Sequence, residues 1–392
     1  MRAVTWQGPR DVRVCDVPDP TIEEPTDAII RVTTSGLCGS DLHLYEPLSA
    51  FMEPGDIIGH EPIGIVEALG SAVGNLALGD RVVVPFNIAC GHCHLCEQGR
   101  YSQCETTQNR AHGTGADLFG YSSLYGQVPG AQAEYLRVPH ADFGPVKVPD
   151  GPGDQRFVYL SDVLPTAWQA VHYADISEGG SVAVFGLGPI GQMSARIAAR
   201  LGASRVFGVD LVPERLDMAA AHGVEAIPLT SDLGEVLRGL TDGRGPDAVI
   251  DAVGMEAHGA PVTRAVQRFT ELLPSAWSAK LLQKAGVDRL SSLHAAIDVV
   301  CRGGTVSVVG VYGGAVDPMP MMQLFDKGVT LRMGQANVRR WTDDIMGLLT
   351  DDDDPLDVEG LATHVVGLED APEMYATFQE KRDGAIKVLF EP

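Results

Sequence analysis

With 392 residues, 45% of them hydrophobic, the chain exceeds what one core comfortably serves, so two domains are expected. Its formal charge of -23 excludes the basic footprint that nucleic-acid binding needs and reads as solubility rather than a substrate preference. No apolar run reaches the roughly 18 residues of a membrane span, and Met1–Gly8 reads as a first strand rather than a secretion signal.

Residues 1 to about 150 carry β-type runs at Ala28–Thr33, Ile63–Ala68, Arg81–Pro85 and Ala133–Val138. Gly, Pro and Asp punctuate them, which predicts an antiparallel β-domain. Within it, Gly36–Pro62 reads G-L-C-G-S-D-L-H and then I-G-H-E-P. Cys38 and His60 are a soft thiolate and an imidazole, the ligand types that hold zinc. Ser40, Asp41, His43 and Glu61 crowd the same stretch as supporting and proton-handling groups. Two ligands leave a zinc site unfinished, so a third must come from elsewhere. The plainer alternative is a buried cysteine and a satisfied histidine.

Cys90, Cys93, Cys96 and Cys104 follow, at spacings of two, two and seven. Four thiolates so placed can close tetrahedrally around one structural zinc with no open position, although His92 and His94 are rival ligands. The cysteine total is seven, an odd number, which favours metal ligation in a reducing cytoplasm over a disulfide framework.

After Pro149 the texture changes to α/β. Ser181–Phe185 reads as a buried strand, Gly186-Leu-Gly188-Pro189-Ile190-Gly191 follows directly, and Gln192–Leu201 reads as a helix. That strand–glycine–helix order is the context in which G-x-G-x-x-G cradles a pyrophosphate. Arg205–Asp210 is the next strand. Asp210 would accept ribose hydroxyls and repel a 2′-phosphate, favouring NAD over NADP, and nearby Arg215 complicates this. Asp247–Val253 and Thr305–Val311 are strand-like, with a helix at Leu293–Cys301. Residues 255–292, with Pro261, Pro274 and Trp277, are too long for a simple connection and read as an extra helical segment. Beyond about residue 333 the pattern stops. Asp351–Asp354 reads as a solvated loop, and His364–Val366 and Ala385–Phe390 look like strands returning to the first domain.

The domain junction offers Asp162, in L-S-D-V-L-P-T, as the missing third ligand. Here the chain resembles the zinc-dependent medium-chain alcohol dehydrogenases, through C-G-S-D-L-H, G-H-E-P, the four-cysteine lobe and G-L-G-P-I-G. The resemblance implies a GroES-like catalytic domain at 1–163 and 334–392 around a Rossmann NAD-binding domain at 164–333. It implies two zinc ions, one catalytic on Cys38, His60 and Asp162 and one structural on the four cysteines. Most of that family carries cysteine at the third position. The glutathione-independent formaldehyde dehydrogenases and dismutases carry aspartate, and they resemble this chain also at G-A-Q-A-E-Y (Gly130–Tyr135) and A-D-F (Ala141–Phe143).

The implied chemistry is hydride transfer between a small alcohol or aldehyde and NAD. In it Ser40 bonds the alcohol oxygen, His43 passes its proton on, and Asp41 orients His60. Glu61 serves ligand exchange, and Thr166 touches the nicotinamide unless it merely caps a helix. Tyr45, Phe51, Phe86, Trp168 and Gly113–Gln127 are candidates to shape the substrate pocket. A homodimer or homotetramer is expected by the same resemblance.

Overall fold

Strand β3 (Ala28–Leu37) starts as the sequence pattern suggests, with Ile30 and Val32 buried on either side of an exposed Arg31. It then runs four residues beyond the expected Thr33. The extension comes from its partners: Gly36 pairs with Glu61 of β4 (Glu61–Leu69), and Leu37 pairs with Val388 of β15 (Val388–Glu391). Neighbours that complete a ladder override the weak strand preference of Ser35-Gly36. Cys38 thus leaves the end of a fixed strand, and His60 immediately precedes another.

The computed structural model describes residues 1–254, 290–312 and 319–392. They divide into two units, Met1–Pro165 with Ala336–Pro392, and Thr166–Gln335. The crossings therefore lie two residues after the expected 163 and 333.

In the first unit β1 (Arg2–Gly8) and β2 (Asp11–Asp16) form an antiparallel pair. The larger sheet runs in the order β14 (His364–Gly367), β15, β3, β4, β5 (Arg81–Val83), β7 (Val146–Lys147), with β6 (Tyr135–Val138) on β3. Only the β14–β15 pair in it is parallel. Two cores support this unit. One, around Trp6, Leu37, Leu42, Tyr45, Phe86 and Tyr375, lies under the Cys38 loop; the other joins Ile30, Val66, Val82 and Leu136. The acidic run is only partly solvated: Asp351–Asp353 are exposed, but the Asp351 carbonyl and the Asp354 carboxylate face the buried Arg156.

The second unit is a parallel six-stranded sheet in the order β10 (Glu225–Pro228), β9 (Arg205–Asp210), β8 (Ser181–Phe185), β11 (Ala248–Asp251), β12 (Thr305–Val308), β13 (Thr330–Met333). Its order reverses between β8 and β11, the switch point where doubly wound sheets bind dinucleotides. The helix after β8 spans Pro189–Arg200, three residues ahead of the expected start. Gly188 caps it, and Pro189 is accepted at its first position, where no N–H partner is needed. The helix expected at Leu293–Cys301 spans Ser291–Val299, shifted two residues towards the N-terminus. Apart from Leu290, Ser291 and Ser292, the expected 255–292 segment lies outside the described residues. No helix among the described residues is long and apolar enough to cross a membrane.

Candidate active site

Cys38 caps the short helix Gly39–Tyr45, and its backbone N–H donates to the Asp41 carboxylate at 2.9 Å. An acid three residues into a helix reaching back to the capping residue is a familiar local lock. It fixes where the Cys38 thiol points. Cys38 Sγ stands 3.5 Å from Asp162 Oδ2, and His60 Nε2 stands 3.3 Å from the same oxygen. Together with Glu61 these donors lie within 4.8 Å of one another, and all four residues are buried. The structure thus brings together the three ligand candidates from residues 38, 60 and 162.

Asp41 lies 3.1 Å from His60 Nδ1, behind the imidazole, so Nε2 is the nitrogen presented to the cluster. Burial works to lower the His60 pKa, but the Asp41 charge and bonding to Asp162, Asp41 and Cys38 drive it well upward. Burial, then the Asp162 and Glu61 charges, push the Cys38 thiol up to about 12. A thiol, an imidazole and a carboxylate that burden each other in this way suit a shared divalent cation, which would hold the sulfur as thiolate. The residues fit zinc.

Ser40 Oγ is 3.3 Å from His60 Nε2, at the mouth of the cluster. His43 is buried one turn further along the same helix. The Phe86 ring meets the His60 ring edge-on at 6.1 Å. Tyr45 and Tyr121 share the core cluster with Phe86, while Phe51 is half-buried.

Lys387 was not anticipated. Its ammonium is fully buried, donates to Leu37 O at 3.0 Å and forms an ion pair with Glu61. Burial would depress its pKa, yet the Glu61 carboxylate holds it above the ordinary lysine value. A signal was present: Lys387 interrupts the apolar run Ala385–Phe390, where an unpaired charge would be prohibitive. Its partner could not be read from the sequence, because 326 positions separate the two residues.

The four lobe cysteines also bring their sulfurs within 4.8 Å of one another. None is in a disulfide, and Cys93 Sγ and Cys104 Sγ stand 3.9 Å apart. The rival histidines turn elsewhere. His92 Nδ1 meets the Cys90 carbonyl at 2.9 Å, and His94 Nε2 meets Gln98 at 2.8 Å. Burial would raise the Cys104 thiol, but N–H bonds from the Cys90, Thr106 and Thr107 backbone and the Thr107 hydroxyl bring it down to about 6. Four sulfurs so gathered could close around one metal ion with no open position.

In the second unit Gly186 turns at φ +82°, and a Cβ on Gly191 would collide with the Gly186 carbonyl. Glycine at the third motif position thus lets the helix start tight against the loop. Proline at 189 removes one first-turn amide, leaving those of Ile190 and Gly191 for a phosphate. Asp210 holds the loop from the next strand: Oδ2 accepts from Leu187 N–H at 2.6 Å, and Oδ1 accepts from Leu211 and Val212. Arg215 Nη1 lies 3.7 Å from Asp210, and its buried Nε has no hydrogen-bond partner among the described residues. A carboxylate with remaining lone pairs and an unsatisfied guanidinium N–H beside a glycine turn fit a dinucleotide ribose. Thr166 lies inside the helix Val163–Ala174, so it does not cap it. Pro165 is tolerated there because it falls in the first turn.

Comparison with known proteins agrees with both units. Residues 24–150 match the alcohol dehydrogenase GroES-like domain, and residues 189–269 match the zinc-binding dehydrogenase family. The zinc-type alcohol dehydrogenase-like protein AdhB of Bacillus subtilis is 39% identical over all of both chains. A glutathione-independent formaldehyde dehydrogenase of Pseudomonas aeruginosa is 32% identical, over 96% of this chain and 94% of that one. The solved alcohol dehydrogenase TADH of a Thermus species superposes with a TM-score of 0.81 at 35% identity, covering 100% of this chain and 99% of its own. With its GroES-like unit, Rossmann unit and paired metal-ligand clusters, the chain belongs to the zinc-dependent medium-chain alcohol dehydrogenase family of oxidoreductases.

Proposed function

We propose that the protein moves a hydride reversibly between a small primary or secondary alcohol, or an aldehyde hydrate, and NAD. The observation that carries this reading is the convergence of Cys38, His60 and Asp162 on one buried point, with Asp41 behind His60 and Ser40 beside it. Those three ligands would hold a zinc ion, which would supply polarisation of the substrate oxygen, and bound NAD would supply the hydride acceptor. The four lobe cysteines would hold a second zinc, which ties down the lobe and does no chemistry.

The remaining work falls to the chain. Ser40 hydrogen-bonds the substrate hydroxyl and takes its proton, and His43 carries that proton towards solvent. Asp162 in place of a thiolate makes the ligand set harder, which suits substrates that must lose a proton before giving hydride. Glu61 offers a carboxylate oxygen within 4.8 Å of the three donors and serves ligand exchange. Asp210 and Arg215 hold the adenosine ribose, Gly188 to Gly191 receive the pyrophosphate, and Thr166 positions the nicotinamide. The Asp210 charge repels a 2′-phosphate, which favours NAD.

Absorbance of reduced nicotinamide tests this, with a panel from formaldehyde to benzyl alcohol and a polyol, with and without added NAD. Turnover of larger alcohols only with supplied NAD supports the first reading. The similarity to a formaldehyde dehydrogenase favours a second, a formaldehyde dehydrogenase or dismutase that retains NAD. Turnover of formaldehyde with no added cofactor would select it. No turnover with either NAD or NADP would defeat both.

We also propose a homodimer or homotetramer. Met321, Met322 and Phe325 are exposed on a helix preceding β13, and Met333 is exposed on β13 itself. That strand ends the sheet among the described residues. Apolar side chains beside an open strand edge suit a second copy. A monomer mass by light scattering at micromolar concentration would contradict this. Seven free cysteines support a reducing, cytoplasmic setting.

A further inference from the structure

Behind the candidate metal cluster lies a chain of polar contacts that begins at Tyr375, in the C-terminal part of the chain. The Tyr375 hydroxyl donates to Gln132 Oε1 at 2.9 Å. Gln132 Nε2 donates to the Gly36 carbonyl at 3.2 Å and to Asp41 Oδ2 at 3.3 Å. Asp41 Oδ1 in turn lies 3.1 Å from His60 Nδ1. Tyr375, Gln132 and Asp41 are all essentially inaccessible to solvent. The amide orientation follows from chemistry: a carbonyl and a carboxylate need the NH2 end, and the phenol O–H needs the oxygen.

The backbone is built around this side chain. Gly59, next to His60, has φ +95°, and a Cβ there would strike Gln132 Cγ. The Gln132 N–H donates to Ile58 O at 3.0 Å, and its carbonyl accepts from Val4 N–H at 2.8 Å. One residue therefore braces the turn bearing His60, the end of the strand leading to Cys38, and the carboxylate that orients His60.

We infer that Gln132, held by Tyr375, is a positioning residue for metal binding by Cys38, His60 and Asp162. It fixes the Asp41 carboxylate, and through it the tautomer and ring angle of His60. The inference rests on the proposed metal site. Outer partners of ligating histidines typically change metal affinity about 10–100-fold. Gln132 acts one bond further out, so the lower end of that range is expected.

Zinc release to pyridylazoresorcinol tests it, because the four-cysteine lobe is an internal control in the same molecule. The wild-type protein should carry two zinc ions by elemental analysis and release one well before the other. Asp162→Ala, which should lack the first, assigns the phases. Gln132→Leu should speed the first phase about tenfold and leave the second unchanged. Tyr375→Phe, a smaller change that keeps the volume, should speed the first phase by roughly threefold. Equal acceleration of both phases would mean general loosening and would overturn the positioning role. So would unchanged release of both ions in a folded Gln132→Leu and Tyr375→Phe. A wild-type protein with one zinc would instead overturn the metal-site reading on which the inference rests.

Discussion

The two ligand clusters of the first unit make an instructive pair. The four lobe cysteines lie within fifteen residues, so local turns bring their sulfurs together, and backbone N–H groups bring the Cys104 thiol down. The cluster of Cys38, His60 and Asp162 spans 124 positions and exists only because the end of β3, the start of β4 and the segment before Val163 meet. The first is saturated by its own chain. The second has three first-rank donors, a reserve carboxylate and a hydroxyl at its mouth. A metal held by the first would stabilise the lobe; a metal held by the second would keep a position for substrate on the proposed reading.

The sharpest way to break this contrast is Asp162→Ala. Losing the ligand should lower kcat/KM about a thousandfold or more, since a Lewis-acid contribution is worth several kcal/mol. Zinc content should fall by one ion while the melting temperature stays near the wild-type value. A variant that keeps both ions and most activity would show that the ligand set is misassigned.

Cys104→Ala should do the reverse. Loss of a structural metal falls among the large destabilisations, on the order of 4 kcal/mol, readable as an earlier midpoint in denaturant unfolding. An unchanged midpoint would remove the structural role of the lobe.

Lys387→Met leaves the Glu61 carboxylate buried and uncompensated, which costs about 3 kcal/mol. Adding Glu61→Gln should restore much of that stability while activity stays impaired. If the double variant is no more stable than Lys387→Met alone, the ion pair is not what the lysine supplies.

A smaller effect is expected at Asp210. Asp210→Asn keeps one acceptor oxygen for the backbone amides, sets an NH2 group against the others and removes the charge that repels a 2′-phosphate. The ratio of kcat/KM with NAD to that with NADP should fall about tenfold, near 1.4 kcal/mol. A ratio that does not move would assign cofactor choice elsewhere, with Arg215 the first place to look.

Much of the site was legible because its signals are local. Thiol spacing in the lobe and a glycine turn between a strand and a helix each follow from a few adjacent residues. Asp162 was legible only through its resemblance-bearing phrase, since acids are common in this chain. Lys387 announced itself as a charge in an apolar strand but named no partner. Gln132 lay within a quoted motif without a reason, and Tyr375 gave no signal, because an aromatic on a helix reads as ordinary core.

The sequence by itself determined the two-domain α/β-plus-β plan, the four-cysteine lobe and the glycine turn between strand and helix, each set by periodicity or short-range spacing. Tertiary structure decided which atoms share the open cluster, that Lys387 answers Glu61, and that Gln132 and Tyr375 stand behind Asp41. Those pairings join residues tens to hundreds of positions apart, and burial makes each of them obligatory: a polar group removed from water must find its partner wherever the chain brings one.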